Sequence, residues 1–197
     1  MKLEAAFYQR NNVVKIAREL LGKILVTRVG GHITSGMIVE TEAYSWKERG
    51  CHAYGGRKTA RNSVMFMPGG YAYVYLCYGM HNMVNVVTNS EGVAEAVLIR
   101  AVEPIRGVDV MMERRNTNAT SLRELTTGPG KLTAALGINR DFNGKSLLGE
   151  EIWIEQGEKI LSRDIVASAR IGIAYALEDA KLPWRFYIRG HEFVSKI

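Results

Sequence analysis

The feature that most limits the fold of this chain is a succession of strand-like runs punctuated by glycine turns, with no long helix between them. Lys23–Val29 and His32–Glu42 flank Gly30-Gly31, the pattern of a tight hairpin whose central residues need positive φ. After Gly69-Gly70 comes YAYVYLCY, residues 71–78, in which Tyr71, Tyr73 and Tyr75 share one strand face and Ala72, Val74 and Leu76 the other. Met83–Thr88 and Ala94–Val102 continue the series, divided by the turn-like Asn89-Ser90-Glu91-Gly92, and short strands are expected at Ile152–Glu155 and Phe186–Arg189. Helices are expected over Val13–Leu21, capped by Asn12 and stopped by Gly22, and over Gly107–Arg115 and Lys131–Leu136. Adjacent strands without regular βαβ alternation favour an α+β fold. The expectation is one mixed domain over residues 1–197, with a curved, largely antiparallel β-sheet flanked by helices.

Two segments carry candidate chemistry. In IVETEAY, residues 38–44, Glu40 and Glu42 stand at i and i+2. On a regular strand they share a face roughly 7 Å apart. Such a pair reads either as a solvated outer face or as the two acids of a sugar-cleaving hydrolase. The apolar lead-in and Tyr44 draw the reading toward a pocket. The second segment holds tyrosines at 71, 73, 75 and 78, and each hydroxyl needs a partner when buried. Gly79 breaks the strand and leaves Tyr78 and Met80 at a tip, shaped either to wedge between base pairs or to pack on a neighbouring loop.

The charge pattern points the same way. The net charge is +6 with a pI near 9.4, and Ser45–Ser63 holds five cations (Lys47, Arg49, Arg57, Lys58, Arg61) against Glu48 alone. Trp46, His52, Tyr54 and Gly55-Gly56 lie in the same stretch. Cations interleaved with flat rings on a flexible loop suit phosphates and bases; a solvated surface loop is the plainer alternative. Gly128-Pro129-Gly130-Lys131 leads into a helix, an arrangement that suits one phosphate and serves equally as a simple helix start.

Other classes find little support. His32, His52, His81 and His191 show no HxxxH or HxH pairing, and Cys51 and Cys77 are too few for a zinc site or a disulfide framework. Neither GxxxxGK[ST] nor GxGxxG occurs. No apolar run approaches the roughly 18–20 residues that span a bilayer, and MKLEAAFYQRNN carries charge where a secretory leader is apolar, so the cytoplasm is the expected location.

Taken together, the motifs resemble the alkyladenine (3-methyladenine) DNA glycosylase family. The matching text is IARELLGKIL (16–25), IVETEAY (38–44), HAYGGRKTARN (52–62), MFMPGGYAYVYLCYGMHNMVNVVT (65–88), VLIRAVEP (97–104), TGPGKLTAALGI (127–138) and RFYIRG (185–190), in that order. The resemblance covers about residues 13–195, and the compact length is similar to bacterial members. It implies a monomer without metal or organic cofactor that acts on double-stranded DNA containing damaged purines. Such a protein everts 3-methyladenine, 7-methylguanine, hypoxanthine or ethenoadenine and hydrolyses the N-glycosidic bond, with no lyase step.

The resemblance also implies site roles. Glu42 is the base that prepares water, which Arg100 and the backbone carbonyl of Ile171 help to hold. Tyr44, His52 and Tyr75 wall the base pocket, Asn85 guards one side, and Tyr78 enters the duplex. Arg57, Thr59, Arg61, Met80 and Lys131 make surrounding DNA contacts. The segment between Tyr44 and His52 is the most idiosyncratic part. Two competing readings are a non-catalytic lesion-DNA binder using the same pocket, and a hydrolase of free glycosides using Glu40 and Glu42 as its acid pair.

Overall fold

The computed structural model describes residues 1–116 and 121–195. Two short helices, α1 (Ala5–Tyr8) and α2 (Val13–Glu19), precede the hairpin β1 (Ile24–Val29) and β2 (His32–Ser45). Strands β3 (Ala72–Cys77), β4 (His81–Thr88) and β5 (Glu95–Arg106) follow a long loop. Helices α3 (Val108–Arg115), α4 (Arg123–Thr126) and α5 (Pro129–Leu136) come next, then β6 (Ile152–Glu155), β7 (Ile165–Ser168) and β8 (Arg185–Ile188). The eight strands form one sheet in the order β3-β4-β5-β2-β1-β6, with β8 also pairing β2 and β7 pairing β8. All these pairings are antiparallel. The architecture is a single mixed α+β domain, and among the described residues no helix is long and apolar enough to cross a membrane.

Local sequence explains the frame. Gly30 and Gly31 take φ of 60° and 80°, the left-handed values that a two-residue hairpin turn requires, and they set the register Val29↔His32. The Asn12 side chain accepts from Lys15 N–H and caps α2. That helix lays Val13, Ile16 and Ala17 on the sheet, while α5 contributes Leu132, Ala135 and Leu136 to the same core. In β3, Ala72 and Val74 face this helix-covered core and Tyr73 and Tyr75 face the other side, under the 46–67 segment.

Several expectations are corrected. Strand β2 runs on to Ser45, and β5 continues through Pro104 to Arg106, where a register shift at Ser35/Gly36 accommodates a residue without an N–H. The 45–63 loop is not free-standing. Asn62 ties it together, donating from Nδ2 to the carbonyls of His52 and Arg57 (2.9 Å each) and accepting from Thr59 N–H at 2.7 Å. Strand β7 and helices α1 and α4 are four residues each, too short to announce themselves by period.

One irregularity positions the site. Between β2 and β5 the register passes from Ile38↔Val102 to Glu40↔Ala101 and then to Thr41↔Ile99. Val39 and Arg100 are therefore left without opposite numbers. The shift resets the alternation, so Ile38 and Ala43, an odd number of positions apart, both pack in the helix-side core. Thr41 points the same way and donates to the carbonyl of Ala17.

Candidate active site

On the face opposite the helices, a cavity of about 560 Å³ opens between β2–β5, the loop around His52 and the segment 171–175. Of the residues expected at a site, Glu42, Tyr44, His52, Arg61, Tyr75, Tyr78, Asn85, Arg100 and Ile171 all line it. Met80 stands beside its mouth on the β3–β4 tip, 70% exposed. Arg57, Thr59 and Lys131 lie on the exposed surface outside the lining.

Glu42 forms part of the wall and has no exposed surface of its own. Its Oε1 accepts from the backbone N–H of Ile171 at 2.8 Å and lies 3.3 Å from Arg100 Nη1; its Oε2 accepts from the Tyr44 hydroxyl at 2.7 Å. A carboxylate has about four acceptor positions; the two hydrogen bonds leave one on Oε2 and one on Oε1, the latter facing Arg100. The group that Ile171 turns to Glu42 is its amide N–H. Burial works against the charge of Arg100, but Glu42 and Glu40 beside it outweigh that and hold its pKa above the ordinary arginine value. Burial, and then the adjacent Glu42, push the Tyr44 hydroxyl well up, which keeps it a donor.

Glu40 does not line the cavity. It is buried behind the wall, where Oε1 accepts from Arg100 Nε (3.0 Å) and Arg185 Nε (2.7 Å), and Oε2 accepts from Ser195 N–H at 2.7 Å. Both the solvated outer face and the acid pair for free glycosides are thus corrected. Two arginines pair with Glu40 there, away from the cavity lining.

The aromatic walls are interlocked. His52 Nδ1 is 2.9 Å from the Tyr73 hydroxyl, and its ring meets that of Tyr75 edge-on at 4.6 Å. The His52 ring is accessible from the cavity yet packed among tyrosines. Burial, aided by the charge of Arg61, lowers its pKa to about 4, so it is neutral at pH 7. The Arg61 guanidinium lies 5.6 Å from the Tyr75 ring centre. Asn85 Nδ2 donates to the Tyr73 carbonyl at 3.1 Å, which fixes its carboxamide at the wall. At the mouth, Tyr78 is 85% exposed and takes φ of 50° beside Gly79 at 71°, an uncommon conformation for a bulky residue.

Sequence reasoning missed a second polar anchor. Arg170 makes a two-pronged ion pair with Glu48, 2.7 Å on each arm, and donates to the Ala43 carbonyl at 2.9 Å. It precedes Ile171, so this clamp fixes the N–H that reaches Glu42. The available signal was Glu48, the single acid among the five cations of Ser45–Ser63. Tyr175 was missed too; it lines the cavity and donates to the Gly50 carbonyl at 3.2 Å.

Comparison with known proteins adds an independent finding. Residues 6–192 match the family model for methylpurine-DNA glycosylase (MPG). A protein of Clostridium acetobutylicum is 48% identical over 99% of this chain and 98% of its own length. One from Carboxydothermus hydrogenoformans is 48% identical and one from Alkaliphilus oremlandii 45% identical, each over the full length of both chains. All three carry the provisional name 3-methyladenine DNA glycosylase.

Proposed function

The chain belongs to the methylpurine-DNA glycosylase family, and from that membership we propose that it is a monofunctional purine DNA glycosylase working through a Glu42-activated water. A stacked purine hides the sugar carbon that water attacks, so the damaged nucleotide is first everted, at a cost of a few kcal/mol that is smaller where the lesion pairs poorly. Tyr78 fills the gap in the duplex, helped by Met80, while Arg57, Thr59, Arg61 and Lys131 hold the backbone. The base enters between Tyr44, His52 and Tyr75. A methylated, positively charged purine is favoured by the negative faces of those rings. Asn85 disfavours the 2-amino group of normal guanine by steric conflict and an unpaired donor.

The observation that carries the reading is the Glu42 carboxylate in the cavity wall, fixed by two hydrogen bonds and the Arg100 ion pair with an acceptor position on Oε2 still unclaimed. A water bound there gives its proton to Glu42 as the glycosidic bond breaks, and the same carboxylate stabilises the oxocarbenium-like sugar. The water's oxygen bonds the sugar carbon, a cationic methylated purine departs neutral with the electron pair of the broken bond, and an abasic site remains. With water as nucleophile there is no Schiff base and no strand cleavage.

Glu42→Gln keeps an oxygen for the Ile171 N–H and loses the base. Single-turnover release of ethenoadenine or hypoxanthine from matched duplexes is expected to fall by about 10²–10⁴-fold, with lesion-duplex affinity retained. Undiminished release by the variant would remove Glu42 from the mechanism. A wild-type protein that binds lesion duplexes tightly and frees no base would instead be the non-catalytic binder.

A further inference from the structure

The reaction proposed above uses Glu42 and leaves the other buried carboxylate unexplained. Glu40 has no exposed surface, and donors from three separate elements converge on it: Arg100 of β5, Arg185 of β8 and the N–H of Ser195. A carboxylate so far from water is strongly disfavoured unless paired and hydrogen-bonded, and here it is both. The local strand geometry is shaped around it. Glu40 sits at the register shift, and Arg100 is the residue of β5 that the shift leaves without an opposite number. A bulge re-aims its side chain. The result is a guanidinium lying between two carboxylates, with Nε 3.0 Å from Glu40 and Nη1 3.3 Å from Glu42.

An arginine offered a lone buried carboxylate engages both its oxygens with two parallel N–H groups. That mode at Glu42 would consume the remaining acceptor position on Oε2. We propose that Glu40 is a positioning residue: by holding Nε of Arg100, it limits that arginine to a single contact with Glu42 and keeps one carboxylate position open for water. Arg185 is held in the same way. It stands opposite Glu42 in the β2–β8 pairing, and Glu40 takes its Nε at 2.7 Å. Two glutamates facing two arginines also leave the cluster balanced in charge. The Ser195 N–H on Oε2 sets the plane of the Glu40 carboxylate and ties the carboxyl-terminal segment to this arrangement. The inference rests on the reading of Glu42 as base.

The test is a double-mutant cycle read by single-turnover excision alongside lesion-duplex affinity. Glu40→Gln is expected to slow excision by about 100-fold, the scale of a misplaced reacting group, while affinity stays within about threefold. Because Glu40 acts through Arg100, adding Glu40→Gln to Arg100→Met should slow that variant no further. An unchanged rate in Glu40→Gln, or losses that multiply in the double variant, overturns the proposal. Should Glu40→Gln fail to fold with its arginines unpaired, Ser195→Pro deletes one donor without removing any charge. It is expected to lose about tenfold in the same step, again only where Arg100 is present, and full activity would overturn the proposal. Absence of base release by the wild-type protein would fell the reading of Glu42 and this inference together; an active wild type matched by its Glu40 variant fells this inference alone.

Discussion

Glu48→Gln probes whether the backbone N–H aimed at Glu42 is fixed from outside the cavity. The Arg170 side chain has 0% and Glu48 3% of its surface exposed, and the two arms of their ion pair both measure 2.7 Å. Glutamine turns one acceptor into an NH₂ that faces a guanidinium N–H, and it leaves Arg170 a buried charge supported by the carbonyls of Ala43 and Asp179. Removing one partner of a buried pair costs about 3–5 kcal/mol. For a chain of this size each kcal/mol shifts Tm by about 2–4 °C, so a drop of about 6–20 °C is expected by calorimetry. The loosened Arg170 also frees Ile171, whose N–H lies 2.8 Å from Glu42. Excision at a temperature where the variant is fully folded should therefore slow, by up to about 100-fold for a displacement near 1 Å. Arg170→Lys keeps the charge but not the two-pronged geometry and should show the same pattern in milder form. A Tm within about 2 °C of wild type would place the pair among ordinary surface pairs, worth roughly 0–1 kcal/mol, and refute the argument from burial. A large loss of Tm with an unchanged rate would refute the link to Ile171.

Two further outcomes are expected. Tyr78 holds φ of 50° in its turn, where a bulky residue is strained by about 1–2 kcal/mol; Tyr78→Asn should raise Tm by a few degrees while weakening lesion-duplex binding, and a lowered Tm would show that the turn is unstrained. His52 has a folded pKa of about 4 against 6.5 for the free side chain, set first by burial and then by Arg61. Between those values the unfolded chain binds a proton that the native chain does not, so the stability from neutral His52 is complete above about pH 6.5 and lost as pH falls toward 4. His52→Gln should thus flatten the acid side of a Tm-against-pH curve, and parallel curves for variant and wild type would contradict this.

What could be read without coordinates was whatever local chemistry dictates. The β1–β2 hairpin was legible because Gly30-Gly31 between alternating runs has few other solutions, and the two faces of β3 because its tyrosines fall strictly on alternate positions. Helix α5 was legible from its glycine–proline start, though it opens at Pro129 rather than Lys131. The fate of Glu40 was not, since spacing alone puts Glu40 and Glu42 on one face and the shift that separates their surroundings arises from pairing with β5, sixty residues on. Glu48 and Arg170 lie 122 positions apart, and no pattern within either segment announces their meeting. Family resemblance supplied Arg100 and Ile171, which spacing would not have singled out. It left open which backbone group of Ile171 faces the carboxylate.

The two buried ion pairs explain why a charged floor can sit beneath an aromatic pocket without collapsing onto itself. Alone, a buried Glu42 carboxylate would carry a heavy desolvation cost or close on the nearest cation. Arg100 offsets the first by its ion pair and, on the inference above, is restrained by Glu40 from the second. The Ile171 N–H meets the same oxygen, next in sequence to the Arg170 that Glu48 clamps. Arg170 also donates to the Ala43 carbonyl, so the two anchors grip β2 on either side of Glu42. Each buried pair is a poor source of stability compared with an apolar replacement of similar shape. Their presence around one carboxylate is better understood, on the reading of Glu42 as base, as the requirement of a position that must be fixed and partly unsatisfied at once.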